Sequence, residues 1–229
     1  MAEALPKIWY SRILSNSVEI SVELDFKLED HGIQQAADYA NDYRRWEPDA
    51  RRNSPKYLHF DKGRGKIKAS AADAMLIAGG MLVISQKFRD VLVPFDLGAT
   101  RLIEVPIYKA DGKTLSDYPP HYLVQISETK PTLVPEESKN IRLPIPPGKT
   151  EPLPAAMWGE TYEPDELAVR ASSAAGADLW ADPKLGSRLF FTDRLKRAIK
   201  AEKIKSRGLD FVAAKVLPWG VARARILFH

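Results

Sequence analysis

Apolar and polar positions fall into two matching runs along this chain. From Arg188 it reads RLFFTDRLKRAIKAEKIKSRGLDFVAAKV, with Leu189, Phe190 and Phe191 forming a short apolar run before Thr192. A threonine hydroxyl at that point can accept a bond from an otherwise unpaired N–H of a first helical turn. Leu195, Ala198 and Ile199 then share one face at helical spacing. Gly208 can take the left-handed conformation that ends or follows a helix, and a second apolar run comes after it. The pattern predicts strand, helix and strand. From Leu82 the chain reads LVISQKFRDVLVPFDLGATRLIEVPI, with Ser85 in the place of Thr192 and Phe88, Val91 and Leu92 in the places of Leu195, Ala198 and Ile199, at a constant offset of 107 residues. Unrelated strand–cap–helix units would look alike through physics alone, so the match places elements without establishing a duplication.

The remaining pattern fills in the order. Lys7 to Leu14 can form a first strand. Between Val18 and Phe26, apolar residues alternate with Glu19, Ser21, Glu23 and Asp25, the period of a strand with one acidic, solvated face. Ile33, Ala36, Ala37 and Ala40 predict a helix ending near Trp46. Residues 48–69 read as a basic loop; Gly63-Arg64-Gly65-Lys66 lacks the spacing of a phosphate-cradling loop and reads as a tight turn. Ser70 and Asp73 resemble a capping box, so a short helix is expected over 71–78, stopped by Gly79-Gly80. Pro94 closes the helix after Ser85. Arg101 to Lys109 and His121 to Thr129 read as an antiparallel pair of strands around an Asp111-Gly112 and Pro119-Pro120 loop. Seven prolines between Pro131 and Pro154 predict an extended connector. The segment 155–168 is expected to be a loop rich in aromatic and acidic residues. Pro218-Trp219-Gly220 turns the chain into a basic, apolar tail that could add an edge strand. The expected fold is α+β, a mixed, mainly antiparallel sheet with a few short helices packed on it. Its parts are an N-terminal strand and helix region over 1–70, a main domain over 71–217 and a tail over 218–229.

Composition narrows the function. The 229 residues are 45% hydrophobic and 28% charged, as in an ordinary globular protein, and contain no cysteine. Thiol catalysis, disulfides and cysteine–zinc sites are therefore excluded. No targeting segment precedes the first strand and no apolar run is long enough to span a bilayer, so a cytoplasmic protein is expected. The net charge of +4 is unevenly spread. Residues 1–50 hold ten acidic and five basic side chains, whereas 184–229 hold three acidic and twelve basic. Such asymmetry marks either solvated faces or a partner of opposite charge.

Catalytic signatures are missing. His31, His59, His121 and His229 lie far apart and form no metal-binding spacing. Glu136-Glu137 sit side by side in the connector, where sequence neighbours rarely converge on a substrate. No enzyme, cofactor or metal is expected. Nucleic-acid binding is the alternative function. It would use Arg188, Arg194, Lys196, Arg197, Lys200, Lys203, Lys205 and Arg207. Against it, Phe190 and Phe191 belong to an expected buried strand and cannot both stack on bases.

The two strand–cap–helix units also resemble immunity-protein family eleven of bacterial polymorphic-toxin systems. The residues that carry the likeness are Leu82-Val83-Ile84-Ser85 with Phe88 to Leu92, Leu102 to Ile107, His121 to Val124, Glu136-Glu137-Ser138, and Leu189 to Leu195 with Gly208 to Phe211. It covers roughly residues 75–217; the first seventy residues and the tail match less well. The resemblance implies a cytoplasmic antitoxin that binds one cognate toxin domain and occludes its active site. The candidate contact is the acidic, aromatic segment with Trp158, Glu160, Tyr162, Glu163 and Asp165; the acidic N-terminal region is second. Trp158 and Tyr162 could equally anchor the connector to the core, and the sequence leaves both readings open.

Overall fold

The computed structural model describes residues 4–14, 24–27, 38, 42–43, 46, 57–60, 72–77, 80–109, 113–115, 117, 119–142, 156–157, 163–186, 188–206 and 209–218. The strands are β1 (Ile8–Ser11), β2 (Leu24–Lys27), β3 (Tyr57–Phe60), β4 (Ala74–Ile77), β5 (Met81–Ser85), β6 (Arg101–Val105), β7 (Ile107–Tyr108), β8 (His121–Gln125), β9 (Ile141–Arg142), β10 (Ala156–Met157), β11 (Ala168–Arg170), β12 (Leu179–Ala181), β13 (Leu189–Thr192), β14 (Val212–Ala213) and β15 (Lys215–Leu217). Helix α1 spans Gln86–Leu92 and α2 spans Asp193–Ala201. The result is α+β and mainly antiparallel, as the sequence pattern implies.

Both hydroxyl caps form where the sequence places them. Ser85 Oγ accepts from the Phe88 N–H at 3.2 Å, and Thr192 Oγ1 accepts from the Leu195 N–H at 3.4 Å. Phe88, Val91 and Leu92 of α1 and Leu195 and Ile199 of α2 are buried, which is the apolar stripe the helical spacing predicts.

The two units prove to be parts of larger, matching sheets. One sheet has the order β4-β5-β8-β6, the other β12-β13-β1-β14, and every neighbouring pair in both is antiparallel. The registers match as well. Ala74, Ile84, Tyr122 and Glu104 form one row across the first sheet; Leu179, Phe191, Trp9 and Ala213 form its counterpart. The neighbouring rows are Met75, Val83, Leu123 and Ile103 against Trp180, Phe190, Tyr10 and Val212. The chain therefore contains two structural repeats, each hairpin–cap–helix plus two further strands. The fourth strand of the first repeat in chain order is β8; its counterpart, the fourth strand of the second repeat, is β1, which precedes both repeats in the chain.

The repeats also clasp each other through two aspartates. Asp73 directly precedes β4: its C=O accepts from the Ser85 N–H at 2.9 Å and its Oδ1 from the Ser85 hydroxyl at 2.9 Å. Asp178 directly precedes β12 and does the same for Thr192, at 3.0 and 2.5 Å. Each aspartate then reaches across. Asp73 N–H donates to Lys205 O and its Oδ2 accepts from the Lys205 N–H; Asp178 N–H donates to Asp96 O and its Oδ2 accepts from the Asp96 N–H. Thus the loop after each helix is fastened to the aspartate of the other repeat. Between them Leu82, Ile84 and Val124 of one sheet meet Leu179, Leu189 and Phe191 of the other, around a cavity of ≈ 10 Å³. The opposite face of the second sheet buries Tyr10, Trp180 and Phe190 against Leu133, Leu167 and Val169.

Several expectations are corrected. The helix expected over 71–78 is strand β4. Asp73 does not cap a helix, because Ser85 and Lys205 take its carboxylate, and Ala74, Met75 and Leu76 are buried all round. Four consecutive apolar residues suit a doubly buried strand as well as a helix, and pairing with β5 decides it. Gly80 makes the hairpin turn with a φ of +78°. The stretch 48–69 is not all loop, since β3 pairs antiparallel with β2 and parallel with β7. The strand read from Arg101 to Lys109 breaks at Pro106, and β7 leaves for that other sheet. The proline-rich connector is not uniformly extended: it contains a 3₁₀ turn over Pro135–Glu137, and β9 pairs with β10. That pairing also makes part of the expected loop 155–168 a strand. Of the strand read from Val18 only Leu24–Lys27 is described, and of the helix before Trp46 only Asp38, Asp42 and Tyr43 are seen helical. The turn at 63–66 and the tail from Trp219 lie outside the described residues.

Candidate partner-binding surface

Of the five residues singled out for partner binding, Glu163 and Asp165 are placed and both are exposed; Trp158, Glu160 and Tyr162 lie outside the described residues. Glu163 and Asp165 flank Pro164 in a tight turn, and Asp165 has a left-handed φ of 64°, which a short polar side chain tolerates. The turn is fixed from below. Asp165 N–H donates to Ala213 O at 3.0 Å, so the turn covers the outer edge of β14. The Glu163 carbonyl accepts from Tyr10 Oη at 3.4 Å and from the Glu166 N–H at 3.3 Å. The next residues, Leu167 to Val169, are buried. Two carboxylates therefore project from a backbone that the second sheet holds.

A second acidic segment, which contains the Glu136-Glu137-Ser138 of the family likeness, runs beside this turn. Lys139 N–H donates to Glu166 O at 2.8 Å, and the Ala168 N–H donates to Ser138 Oγ at 2.9 Å. Glu136 is exposed there, while Glu137 pairs with Lys215 at 3.1 Å. Glu166 is buried: its Oε1 accepts from Asn140 Nδ2 at 2.9 Å, and among the described residues its Oε2 has no partner. Nothing in the one-dimensional pattern announces Glu166 and Asn140, because the contact joins residues 26 apart.

The basic segment is engaged differently. Phe190 and Phe191 are both buried, so neither can stack on a base. Arg188 is buried, and Arg194 grips Asp178 through two bonds of 2.6 and 2.5 Å. That bonding raises the Arg194 pKa above its ordinary value. Lys196 Nζ lies 3.7 Å from the centre of the Trp9 ring, whose Nε1 donates to Asp193. Arg197 pairs with Asp193 at 2.8 Å. Lys200, Lys203 and Lys205 remain exposed. Much of the charge that argued for phosphate binding thus serves the fold.

Two further basic side chains, the half-buried Lys130 and the buried His121, have structural surroundings. Lys130 Nζ donates to the carbonyls of Ser173, Ala175 and Ala177 at 2.8 to 3.0 Å and lies 4.2 Å from the centre of the Trp180 ring. Burial pushes its pKa down. Burial likewise lowers the pKa of His121, whose Nδ1 sits 2.7 Å from Pro119 O. Among the described residues no group of three or more His, Asp or Glu side chains could hold a metal ion. The cavity between the repeats is apolar and about the size of one water, too small for a substrate. No described helix is long and apolar enough to cross a membrane.

No curated protein resembles the chain closely enough to be matched to it. A family model does match: the Immunity protein family (Imm11), over residues 17–216. The match begins well upstream of residue 75, the start of the likeness carried by the strand–cap–helix units. Spanning most of the 229 residues, it shows that the chain belongs to the Imm11 immunity proteins and is a non-enzymatic inhibitor that neutralises a toxin.

Proposed function

We propose that the protein neutralises its toxin in the cytoplasm by covering the toxin's active site, with segment 158–165 as the principal contact. The observation that supports this is the Glu163–Asp165 turn: two exposed carboxylates on a backbone bonded to the edge of β14 and to Tyr10. A surface already held in its binding shape loses little freedom on association. Paired negative charge suits a toxin whose active site is a basic cleft, such as a nuclease, and speeds encounter with it. The net charge of +4 sets a limit, since the chain as a whole is no acidic decoy.

The test is rescue and affinity with the toxin domain encoded by the neighbouring reading frame. Co-expression of the wild-type chain is expected to restore growth. The double variant Glu163→Lys/Asp165→Lys is expected to weaken binding by about tenfold or more and to flatten the salt dependence of the association rate. Both side chains are exposed, so thermal unfolding should barely move. Unchanged affinity and rescue in that double variant would remove this segment from the interface.

A further inference from the structure

We propose that the outer edge of β6 is a docking strand, which takes an extended segment of the toxin carrying a carboxylate that binds Arg101 and Gln125. The proposal rests on the reading that the chain binds a toxin, and it assigns a second contact to that partner.

The two repeats supply the reasoning. Strands β6 and β14 occupy the same place, each beside the fourth strand at the end of its sheet. In the second repeat the outer edge is covered by the chain itself. Ala214 N–H points inward to Ile8 O, while Ala213 O points outward and accepts from Asp165 N–H. By the matched register, Ala213 corresponds to Glu104. In antiparallel strands the N–H and C=O of one residue point the same way and successive residues alternate. Leu102 and Glu104 therefore turn their backbone groups away from β8. Among the described residues nothing pairs with them, and Arg101 and Glu104 are exposed with Leu102 and Ile103 half-buried.

Chemistry at the end of this edge says what is missing. Continued two residues, the register of the second repeat places Arg12 opposite Asp210, and the two form an ion pair at 3.2 Å. The corresponding pair in the first repeat is Gln125 opposite Arg101. Gln125 is 2% exposed, yet among the described residues neither its amide oxygen nor its amide nitrogen has a hydrogen-bond partner. The second repeat has a guanidinium and a carboxylate in this row; the first has a guanidinium and an amide, and lacks the carboxylate. A carboxylate from an added strand would accept from Arg101 directly and from the Gln125 amide once that side chain turns toward the edge, and the strand's own N–H and C=O groups would pair with Leu102 and Glu104. Strand addition of this kind takes affinity from the main chain and selectivity from the flanking side chains. The exposed Glu104 further favours a basic residue on the added segment, so the fitting strand is acidic at one end and basic at the other.

The experiment measures binding of the same toxin domain by calorimetry for wild type, Arg101→Glu, Glu104→Pro and Gln125→Leu, with thermal unfolding alongside. Proline at 104 removes an N–H that points away from the sheet, a position where edge strands accept it. Arg101→Glu and Glu104→Pro are each expected to weaken binding by about tenfold or more. Gln125→Leu separates a binding role from a packing flaw: it removes a buried amide without partners, so unfolding should move to higher temperature while affinity falls. A higher unfolding temperature with unchanged affinity would sink the proposal, as would unchanged affinity in Arg101→Glu. If Glu104→Pro fails to fold, Arg101→Glu and Gln125→Leu still decide the matter. Sedimentation of the chain alone gives a further outcome. A dimer dissolved by Arg101→Glu would assign the edge to a second copy and overturn the toxin segment as occupant. A wild-type chain that does not bind the toxin overturns the functional reading and this one together; binding that all three variants leave intact overturns this one alone.

Discussion

Asp73 and Asp178 hold the same position in two repeats, but they work in different surroundings. Asp178 is fully buried and carries Arg194 as well as the Thr192 hydroxyl and the Asp96 N–H. Asp73 is half-exposed and serves Ser85 and Lys205; where the second repeat has Arg194, the first has the exposed Lys87. The edges differ in the same sense. β12 is flanked by Glu128 and Lys130, which exchange bonds of 3.0 and 2.9 Å with Ala181, and β14 is covered by the acidic turn. The first repeat leaves β6 unpaired among the described residues. One backbone plan has thus been finished twice, once closed and once with an edge to spare. Register and caps define the plan, while side chains at the margins decide which copy is sealed.

The largest effect that could break this comparison is loss of β1. Deleting residues 1–14 removes the fourth strand of the second repeat, with Tyr10 wholly buried, and leaves β13 and β14 without their shared neighbour. No cooperative unfolding transition is expected from such a chain; a normal transition would show that β1 is an addition and not a member of the repeat. Next comes the aspartate pair. Asp178→Ala leaves a hydroxyl and a backbone N–H unpaired in a buried place and is expected to cost about 3 kcal/mol, whereas Asp73→Ala should cost about 1–2 kcal/mol. Equal losses in denaturant unfolding would remove the distinction drawn between them.

The third comparison concerns His121, which stands where the second repeat has Ile8. Burial holds the His121 pKa below its ordinary value of 6.5. As pH falls the unfolded chain takes up this proton first, so stability present above 6.5 is lost as pH falls through the lower, folded value. His121→Ile should reduce the drop in unfolding temperature between about pH 7 and pH 5. A drop of undiminished size would place the acid sensitivity elsewhere. Smallest of all is Arg197→Ala, which removes an exposed partner of Asp193 and should change stability by about 0.5 kcal/mol or less.

Local chemistry was legible in the sequence. Ser85 and Thr192 announced themselves because a cap is written within four residues, and the buried stripes of α1 and α2 because a helix has a fixed period. Ala74 to Ile77 misled for the opposite reason: an apolar run without alternation carries no period, and its pairing with β5 settled the conformation. The use of β1 as a strand of the second repeat was out of reach, since Ile8 and Thr192 meet only in three dimensions. The same holds for the candidate surfaces. The sequence could name Glu163 and Asp165 as acidic neighbours, but the bond to Ala213 that fixes their turn, and the counterpart at β6 that no described residue covers, depend on which strands lie at a sheet's edge.

The place of β1 also bears on how a newly made chain becomes protective. The four strands of the first repeat lie between residues 74 and 125, so that half can close while translation continues. Ile8 to Ser11 emerge first from the ribosome, but they must wait for residues 189–192 and 212–213 before their sheet exists. Because Asp73 needs the Lys205 backbone and Asp178 needs that of Asp96, the clasp between halves also closes only after residue 205 has been made. Long-range pairing of this kind slows folding. A nascent chain that stops short of residue 213 would therefore present an orphan first strand and no finished inhibitor, and immunity would begin only once both partner strands have been made.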